Sequence, residues 1–263
     1  MNHKLQLLLA AAAFLLISTF SSAEERPVKF QNSNYRVEFS NSYRNTFGFY
    51  GLRLGGYFLS GAWDLQLVGH VSPAGKRYSL KKTNEYQAVQ EGENLLLNAS
   101  RELTENGEDG EVLAKVEQKL LFTPEKVTVS FLIVPEQDIP INRGVRYFFR
   151  VYNGGSMREF LGKTVEATLS DNTVKSFVVK CEEKEEIDQK VWYRRDLFTQ
   201  VCVVGQNDRL FFIAEDGNRI WISHYGTGIE FWAVLPSNSP DFRPTSLQKG
   251  QQYLLSYSIQ LQP

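Results

Sequence analysis

The sequence predicts an all-β protein built as a large antiparallel β-sandwich, similar to a supersandwich. Three observations predict this class. Apolar residues alternate with polar ones or form short apolar runs, turn residues separate these runs, and helical periodicity is nearly absent. About a dozen or more strands without helices between them favour two packed antiparallel sheets over an α/β fold.

The first segment, residues 1–23, has the features of a secretory signal peptide. An apolar run from Leu7 to Ile17 follows Lys4, and the small residues Ser21 and Ala23 precede the expected cleavage site. The apolar run is shorter than the roughly 20 residues of a membrane span. We therefore expect a periplasmic or secreted protein with no stable membrane insertion once the signal is cleaved.

The remaining residues, 24–263, are predicted to form a single domain. No Pro/Ser/Gly-rich linker, low-complexity tract or internal repeat divides them. The predicted strands, in order, are 35–39, 47–54, 63–68, 86–90, 94–100, 115–122, 126–134, 145–152, 164–169, 174–180, 201–204, 210–214, 219–223, 229–235 and 253–261.

The clearest element is a hairpin centred on residues 123–126. Val127, Val129, Phe131 and Ile133 alternate along its second strand, and the turn contains Pro124, which presets the turn dihedral and cannot donate to a ladder. The pairs Asp171-Asn172, Asn207-Asp208 and Asp216-Gly217 supply further tight turns for antiparallel neighbours.

The two cysteines, Cys181 and Cys202, lie at the end of one predicted strand and inside another. In an exported protein this arrangement predicts a disulfide, which would stabilise the fold by about 3 kcal/mol. The alternative is a pair of buried free thiols. Neither cysteine has a neighbouring histidine in sequence, so neither is expected to be a catalytic nucleophile.

Composition and motifs exclude several functions. The net charge is −1, with 29 Lys+Arg and 30 Asp+Glu, and it offers no basic face for nucleic acid. Hydrolase elbows, zincin motifs, phosphate loops and paired CxxC sites are all missing. Only His70 and His224 follow the signal segment, which excludes a three-histidine zinc site. We expect neither a metal nor a cofactor.

The strongest local cluster spans residues 221–232, where a Gly-containing turn presents His224 and Tyr225 between two strands. Alternation places Glu230 on the same face as Trp232. A carboxylate beside aromatic rings can have its pKa raised by desolvation, which suits acid–base work on sugar hydroxyls. The alternative is a solvent-facing Glu230 and a histidine that only forms the turn.

Three further residues are candidates for the same site. Arg146 shares a strand face with Phe148 and Arg150, and its guanidinium is suited to the carboxylate or sulfate of an acidic sugar, or else to pairing with acidic neighbours. His70 is a candidate catalytic residue if it lies with His224 in one cleft. Trp192 follows a charged run and is a candidate cleft wall; such runs are more often solvated surface.

Three stretches resemble the carbohydrate-active β-supersandwich of the galactose mutarotase-like class, which includes aldose epimerases and domains of polysaccharide lyases. Residues 35–39 leading to 51–56 resemble the opening strand pair, and residues 120–129 resemble the hairpin that enters the large sheet. The Leu-x-x-Gly turn at 247–250, followed by residues 253–259, resembles the closing strand.

The resemblance implies a protein that binds or acts on carbohydrate. In mutarotases, histidines and a late carboxylate on the concave sheet carry the chemistry, and His224 and Glu230 fit these in type and position. If the chain is an enzyme, we expect an epimerase or a lyase, with Glu230 as base, His224 as acid or orienting residue and Arg146 as substrate clamp. The alternative is a non-catalytic periplasmic structural or protein-interaction domain whose protein partner is unknown.

Overall fold

The structure is a computed structural model that describes residues 28–32, 34–40, 48–54, 57–59, 65–67, 78–81, 86–105, 109–140, 145–151, 162–178, 196–225, 228–235 and 246–263. The predicted signal segment lies outside these ranges. No helix occurs within them, and so no described segment is a helix long and apolar enough to cross a membrane.

The described residues form β-strands joined by turns, which confirms the predicted all-β class. The strands are β1 (Val28–Gln31), β2 (Tyr35–Ser40), β3 (Gly48–Leu54), β4 (Tyr57–Leu59), β5 (Leu65–Leu67), β6 (Tyr78–Leu80), β7 (Gln87–Glu91), β8 (Asn94–Glu105), β9 (Val112–Phe122), β10 (Val127–Pro135), β11 (Ile139–Pro140), β12 (Val145–Val151), β13 (Thr164–Leu169), β14 (Val174–Val178), β15 (Phe198–Val204), β16 (Arg209–Ala214), β17 (Arg219–Tyr225), β18 (Gly228–Val234), β19 (Ser246–Leu247) and β20 (Tyr253–Gln262).

One antiparallel layer runs in the order β7-β8-β9-β10-β20-β16-β15-β13-β14. A second runs β1-β2-β3-β4-β12-β18-β17, with β5 also paired to β12. Hydrogen bonds join the layers at both sides, because β6 links β5 to β8 and β17 meets β15. The sheet therefore curls back on itself, and β11 and β19 form a small separate ribbon.

The core lies between the two layers, and strand alternation fills it. Along β10 every second residue is buried, and Val127, Val129, Phe131 and Ile133 are all 0% exposed. Fully burying a side chain of this kind contributes about 1.5–3 kcal/mol relative to leaving it in water. The apolar side chains whose alternation predicts this strand are therefore also the ones that stabilise it in the core.

Aromatic contacts cross the core from one layer to the other. The rings of Phe212 on β16 and Phe231 on β18 stack with centroids 4.3 Å apart and an interplanar angle of 23°. Phe30 on β1 lies 5.9 Å from Phe122 on β9, centroid to centroid. The face of β18 that carries Phe231 is thus its core face, and this orients the strand for the site described below.

Three of the predicted turns close hairpins, β9–β10, β13–β14 and β15–β16, whereas the turn at Asp216-Gly217 joins β16 of the first layer to β17 of the second. The N–H of Thr123 donates to the carbonyl of Lys126 at 2.9 Å and closes the β9–β10 hairpin. Asp216 and Gly217 both have positive φ, 51° and 75°, and the N–H of Asn218 donates to the carbonyl of Glu215 at 2.9 Å. Paired left-handed residues are typical of a type I′ turn. Here the turn connects the two layers, because β16 pairs with β15 and β20 while β17 pairs with β18.

Several strands differ from their predicted bounds. The strands β8 and β9 extend the predicted pair to Glu105 and back to Val112, and β15 begins at Phe198 rather than Val201. The short strands β1, β4 and β6 were not predicted. Three or four residues are too few to show alternation, so their place is set by the neighbours they pair with.

The structure gives no support to the predicted disulfide between Cys181 and Cys202. Cys202 is a buried free cysteine, and Cys181 lies outside the described residues. Burial of Cys202 on β15 agrees instead with the alternative of a thiol packed as a small apolar side chain.

Candidate functional site

The strands that carry most of the predicted site residues are neighbours in the second layer. β12 pairs with β18, and β18 pairs with β17, so β18 is the middle strand of three. The register sets β12 residues 146–151 against β18 residues 234–229, and β17 residues 219–225 against β18 residues 234–228. Residues far apart in sequence are thereby placed in common cross-strand rows.

The core face of these strands is known from burial. Phe231 and Ala233 on β18, and Ile220 and Ile222 on β17, are at most 4% exposed. Because successive strand residues alternate between faces, Glu230 and Trp232 occupy positions on the opposite face of β18. This second face, on which Val234 is buried and Trp221 half-buried, is the candidate functional site.

One cross-strand row on this face holds Arg150, Glu230 and Ser223, and we call it the carboxylate row. Glu230 is directly opposite Arg150 on β12 and directly opposite Ser223 on β17. Directly opposite positions have Cβ atoms about 4.5–5.5 Å apart, within the range at which opposite charges interact. The row places a glutamate position between an arginine position and a serine position.

The next row on the same face holds Phe148, Trp232 and Trp221, and we call it the aromatic row. Trp232 is directly opposite Phe148 on β12 and directly opposite Trp221 on β17. It lies two residues, or about 7 Å, along the strands from the carboxylate row. The Trp221 side chain is half-buried. Three aromatic positions therefore adjoin one another across three strands.

Arg146 lies one row further on, four residues along β12 from the position opposite Glu230. It pairs with Val234, which in turn pairs with Arg219. Arg219 Nη1 donates to the carbonyls of Gly217 and Asn218, each at 2.9 Å, and so braces the preceding turn. The residue that the register brings beside Glu230 is thus Arg150, while Arg146 borders the far side of the aromatic row.

The strand register separates the two residues that the sequence pairs for catalysis. His224 is opposite Ile229, a position that alternates with that of Glu230. His224 and Glu230 therefore occupy positions on opposite faces of the hairpin. Tyr225, opposite Gly228, occupies a position on the face of Glu230.

Two further predicted residues, His70 and Trp192, lie outside the described residues, and their part in the site stays a prediction. Among the residues that the structure describes, no group of three or more His, Cys, Asp or Glu is placed to hold a metal ion.

The register adds Arg150, Phe148, Trp221 and Ser223 to the site. Alternation along the sequence already groups Arg150 and Phe148 with Arg146, and Trp221 belongs to the 221–232 cluster. What the sequence lacks is the partnership of β12 with β18, which joins segments about 80 residues apart. The β12–β18 pairing is the information that identifies these residues as neighbours of Glu230 and Trp232.

No protein-family model and no functionally curated protein matches this sequence.

Solved structures with a similar fold cover nearly the whole chain. A galactose mutarotase-like protein from Clostridium acetobutylicum is 12% identical, with a TM-score of 0.52, and the match covers 94% of this chain and 98% of that one. A GalM/aldose epimerase homologue from C. elegans is 8% identical, with a TM-score of 0.53 and coverage of 90% and 98%. A candidate aldose 1-epimerase from Escherichia coli K12 is 13% identical, with a TM-score of 0.51 and coverage of 90% and 98%.

These matches share little sequence with this chain, so they bear on its fold rather than on its chemistry. They confirm the resemblance drawn from the strand pairs and the closing Leu-x-x-Gly turn. The described strands, curled into two layers joined at both sides, have the galactose mutarotase-like fold.

Proposed function

We propose that this chain is an exported carbohydrate-binding protein whose ligand lies on the face formed by the carboxylate row and the aromatic row. The observation that carries the proposal is the placement of Glu230 and Arg150 in one row beside Trp232 and Trp221 in the next. Export rests on the predicted signal segment. The fold shared with aldose epimerase-like proteins supports a carbohydrate ligand over other small molecules.

The residue types on this face match the two surfaces of a sugar. The C–H faces of a pyranose ring are apolar and pack on aromatic rings, which bury large apolar areas. The ring hydroxyls both donate and accept hydrogen bonds, which a carboxylate, a guanidinium and a serine hydroxyl can satisfy together. Charged partners make these hydrogen bonds stronger than neutral ones.

Epimerase or lyase chemistry on this face would assign the base to Glu230. The proton donor would then come from the same face, where Tyr225 has its position, rather than from His224. The acid–base pair to test first is therefore Glu230 with Tyr225.

A thermal-shift screen against neutral and acidic oligosaccharides tests the proposed function. A ligand that binds only the native state raises the melting temperature in a dose-dependent way. An upward shift with any saccharide supports the proposal and names the class to assay for turnover. A flat response across the panel at tens of millimolar would overturn it in favour of the protein-interaction alternative.

The substitution Glu230→Gln tests the carboxylate itself. It keeps the size of the side chain and removes its charge, so we expect saccharide affinity to fall about tenfold or more, as for loss of a charged hydrogen-bond partner. Any turnover should be abolished, with the melting temperature nearly unchanged.

The matched control is Glu117→Gln, on the exposed face of β9 in the other layer. It should leave both binding and melting temperature at wild-type values. Unaltered binding and activity in Glu230→Gln would show that Glu230 is only a surface strand residue.

A further inference from the structure

We infer that the site takes an oligosaccharide of at least two rings, laid across the strands, rather than a single monosaccharide. The inference rests on the proposed function and specifies its ligand. It comes from the order of the rows. The aromatic row, 148–232–221, runs at right angles to the strands between the carboxylate row and a row that holds Arg146, the buried Val234 and Arg219.

The length of the aromatic row sets the size of the ligand. Neighbouring strands lie about 4.8 Å apart, so the first and third positions of the row are about 10 Å apart. One pyranose ring is about as wide as a single strand spacing, and it would therefore cover only part of the row. A chain of two or three rings covers it from Phe148 to Trp221.

The direction of the ligand follows from what borders the row. On one side stands the carboxylate row with Arg150 and Glu230, and on the other stand Arg146 and Arg219, separated by Val234. Each border lies about 7 Å from the aromatic row. A glycan has apolar ring faces and hydroxyls along both edges. A chain lying along the aromatic row therefore has the carboxylate row along one edge and the positions of Arg146 and Arg219 near the ends of its other edge.

The underside of the row is packed into the core. On the core face of the same strands Phe231 is 0% exposed and stacks on Phe212 at 4.3 Å, and Ile222 is 4% exposed. Strands fixed in this way need little ordering when a ligand binds, which favours affinity for an extended ligand.

Isothermal titration calorimetry with two length series tests the inference on the purified full-length protein. The probes are glucose to cellotetraose and galacturonate to tetragalacturonate. We expect affinity to rise at least tenfold from the monosaccharide to the trisaccharide in one series, and to level off at the tetrasaccharide because the aromatic positions described in this row run from Phe148 to Trp221.

The two proposals fail differently in this experiment. Equal affinity for monosaccharide and trisaccharide would overturn the inference while leaving the carbohydrate-binding function in place. Absence of binding to every probe would overturn both.

Two substitutions at the ends of the row, Trp221→Leu and Phe148→Leu, keep apolar bulk on the strands and remove the rings. Each should lower trisaccharide affinity about tenfold and change monosaccharide affinity less than twofold. The control Phe211→Leu changes a half-buried aromatic residue on β16 and should change neither. An equal loss of affinity for the monosaccharide and the trisaccharide in these two variants would contradict a site whose affinity depends on the length of the ligand.

Discussion

At the scale of the residue, Cys202 shows how burial decides the chemistry of a side chain. It is 2% exposed, and burial raises the pKa of its thiol to about 11. Smaller effects come from Arg209, which lowers this pKa, and from Glu166, which raises it. A thiol in this state is protonated at neutral pH and a poor nucleophile. The structure thus points to a packing role for Cys202.

The raised pKa of Cys202 predicts a loss of stability at alkaline pH. Both folded and unfolded chains hold the proton below pH 9, but above it the unfolded chain releases the proton first, so unfolding becomes easier until the folded pKa is reached. Relative to Cys202→Ala, the wild type should lose about 2 kcal/mol of unfolding free energy between pH 8 and pH 10.5.

Urea unfolding of both proteins at the two pH values measures this difference. A constant difference would contradict a neutral buried thiol. Iodoacetamide should also label Cys202 in the unfolded, unreduced protein, whereas a disulfide would block the label.

The sequence left the state of Cys202 open for a physical reason. A disulfide requires Cα atoms about 4.4–6.8 Å apart, and this distance depends on which strands pair, not on spacing along the chain. The same limit applies to His224 and Glu230. Their nearness in sequence made them attractive partners, but the β17–β18 register assigns them alternate positions.

At the scale of the element, the turn that joins β16 of the first layer to β17 of the second depends on two residues with left-handed backbone. Asp216 has a φ of 51° and Gly217 a φ of 75°. The side chain of Asn218, 0% exposed, then donates from Nδ2 to the carbonyls of Glu215 at 2.8 Å and Leu254 at 3.2 Å. The turn is thereby fixed to β20, the central strand of the first layer.

The substitution Gly217→Ala should reduce the free energy of unfolding by about 1–2 kcal/mol through backbone strain. A Cβ atom at Gly217 would meet no atom within 4 Å, so steric contact adds nothing. Chemical denaturation of both proteins gives the value.

The matched change at the neighbouring position, Asp216→Asn, creates the Asn-Gly pair that type I′ turns favour and should leave stability unchanged or higher. Equal destabilisation by both substitutions would argue against the type I′ conformation.

Elements with strong alternation could be predicted from sequence, and the others could not. The β9–β10 hairpin shows its buried face in every second residue and its turn in Pro124, so local physics determines it. The strand β4 has three residues, and its position follows from pairing with β3 and β12. The rows of the candidate site depend on the β12–β18 pairing, which is likewise non-local.

At the scale of the whole molecule, the two layers are held together by the core between them. Phe212 and Phe231 are both 0% exposed and contact each other across it. The substitution Phe212→Ala should lower the free energy of unfolding by about 3–5 kcal/mol, since it leaves a cavity between the layers.

A double-mutant cycle with Phe231→Ala isolates the ring contact. The coupling energy should be about 0.5–1.5 kcal/mol, as for other aromatic pairs. Additive losses in equilibrium denaturation would mean that each ring packs independently of the other.

The closure of the sheet at both sides determines how far the stabilising effect of a bound ligand would extend through the protein. The layers are joined by the pairing of β6 with β8 at one side and of β17 with β15 at the other. Separating the layers at either side would break these hydrogen bonds. A saccharide bound as proposed on the second face of β18 would lie directly behind Phe231, and so behind the core between the two layers. We expect its binding to protect backbone amides from hydrogen exchange not only in β12, β17 and β18 but also across the core, in β16 and β20.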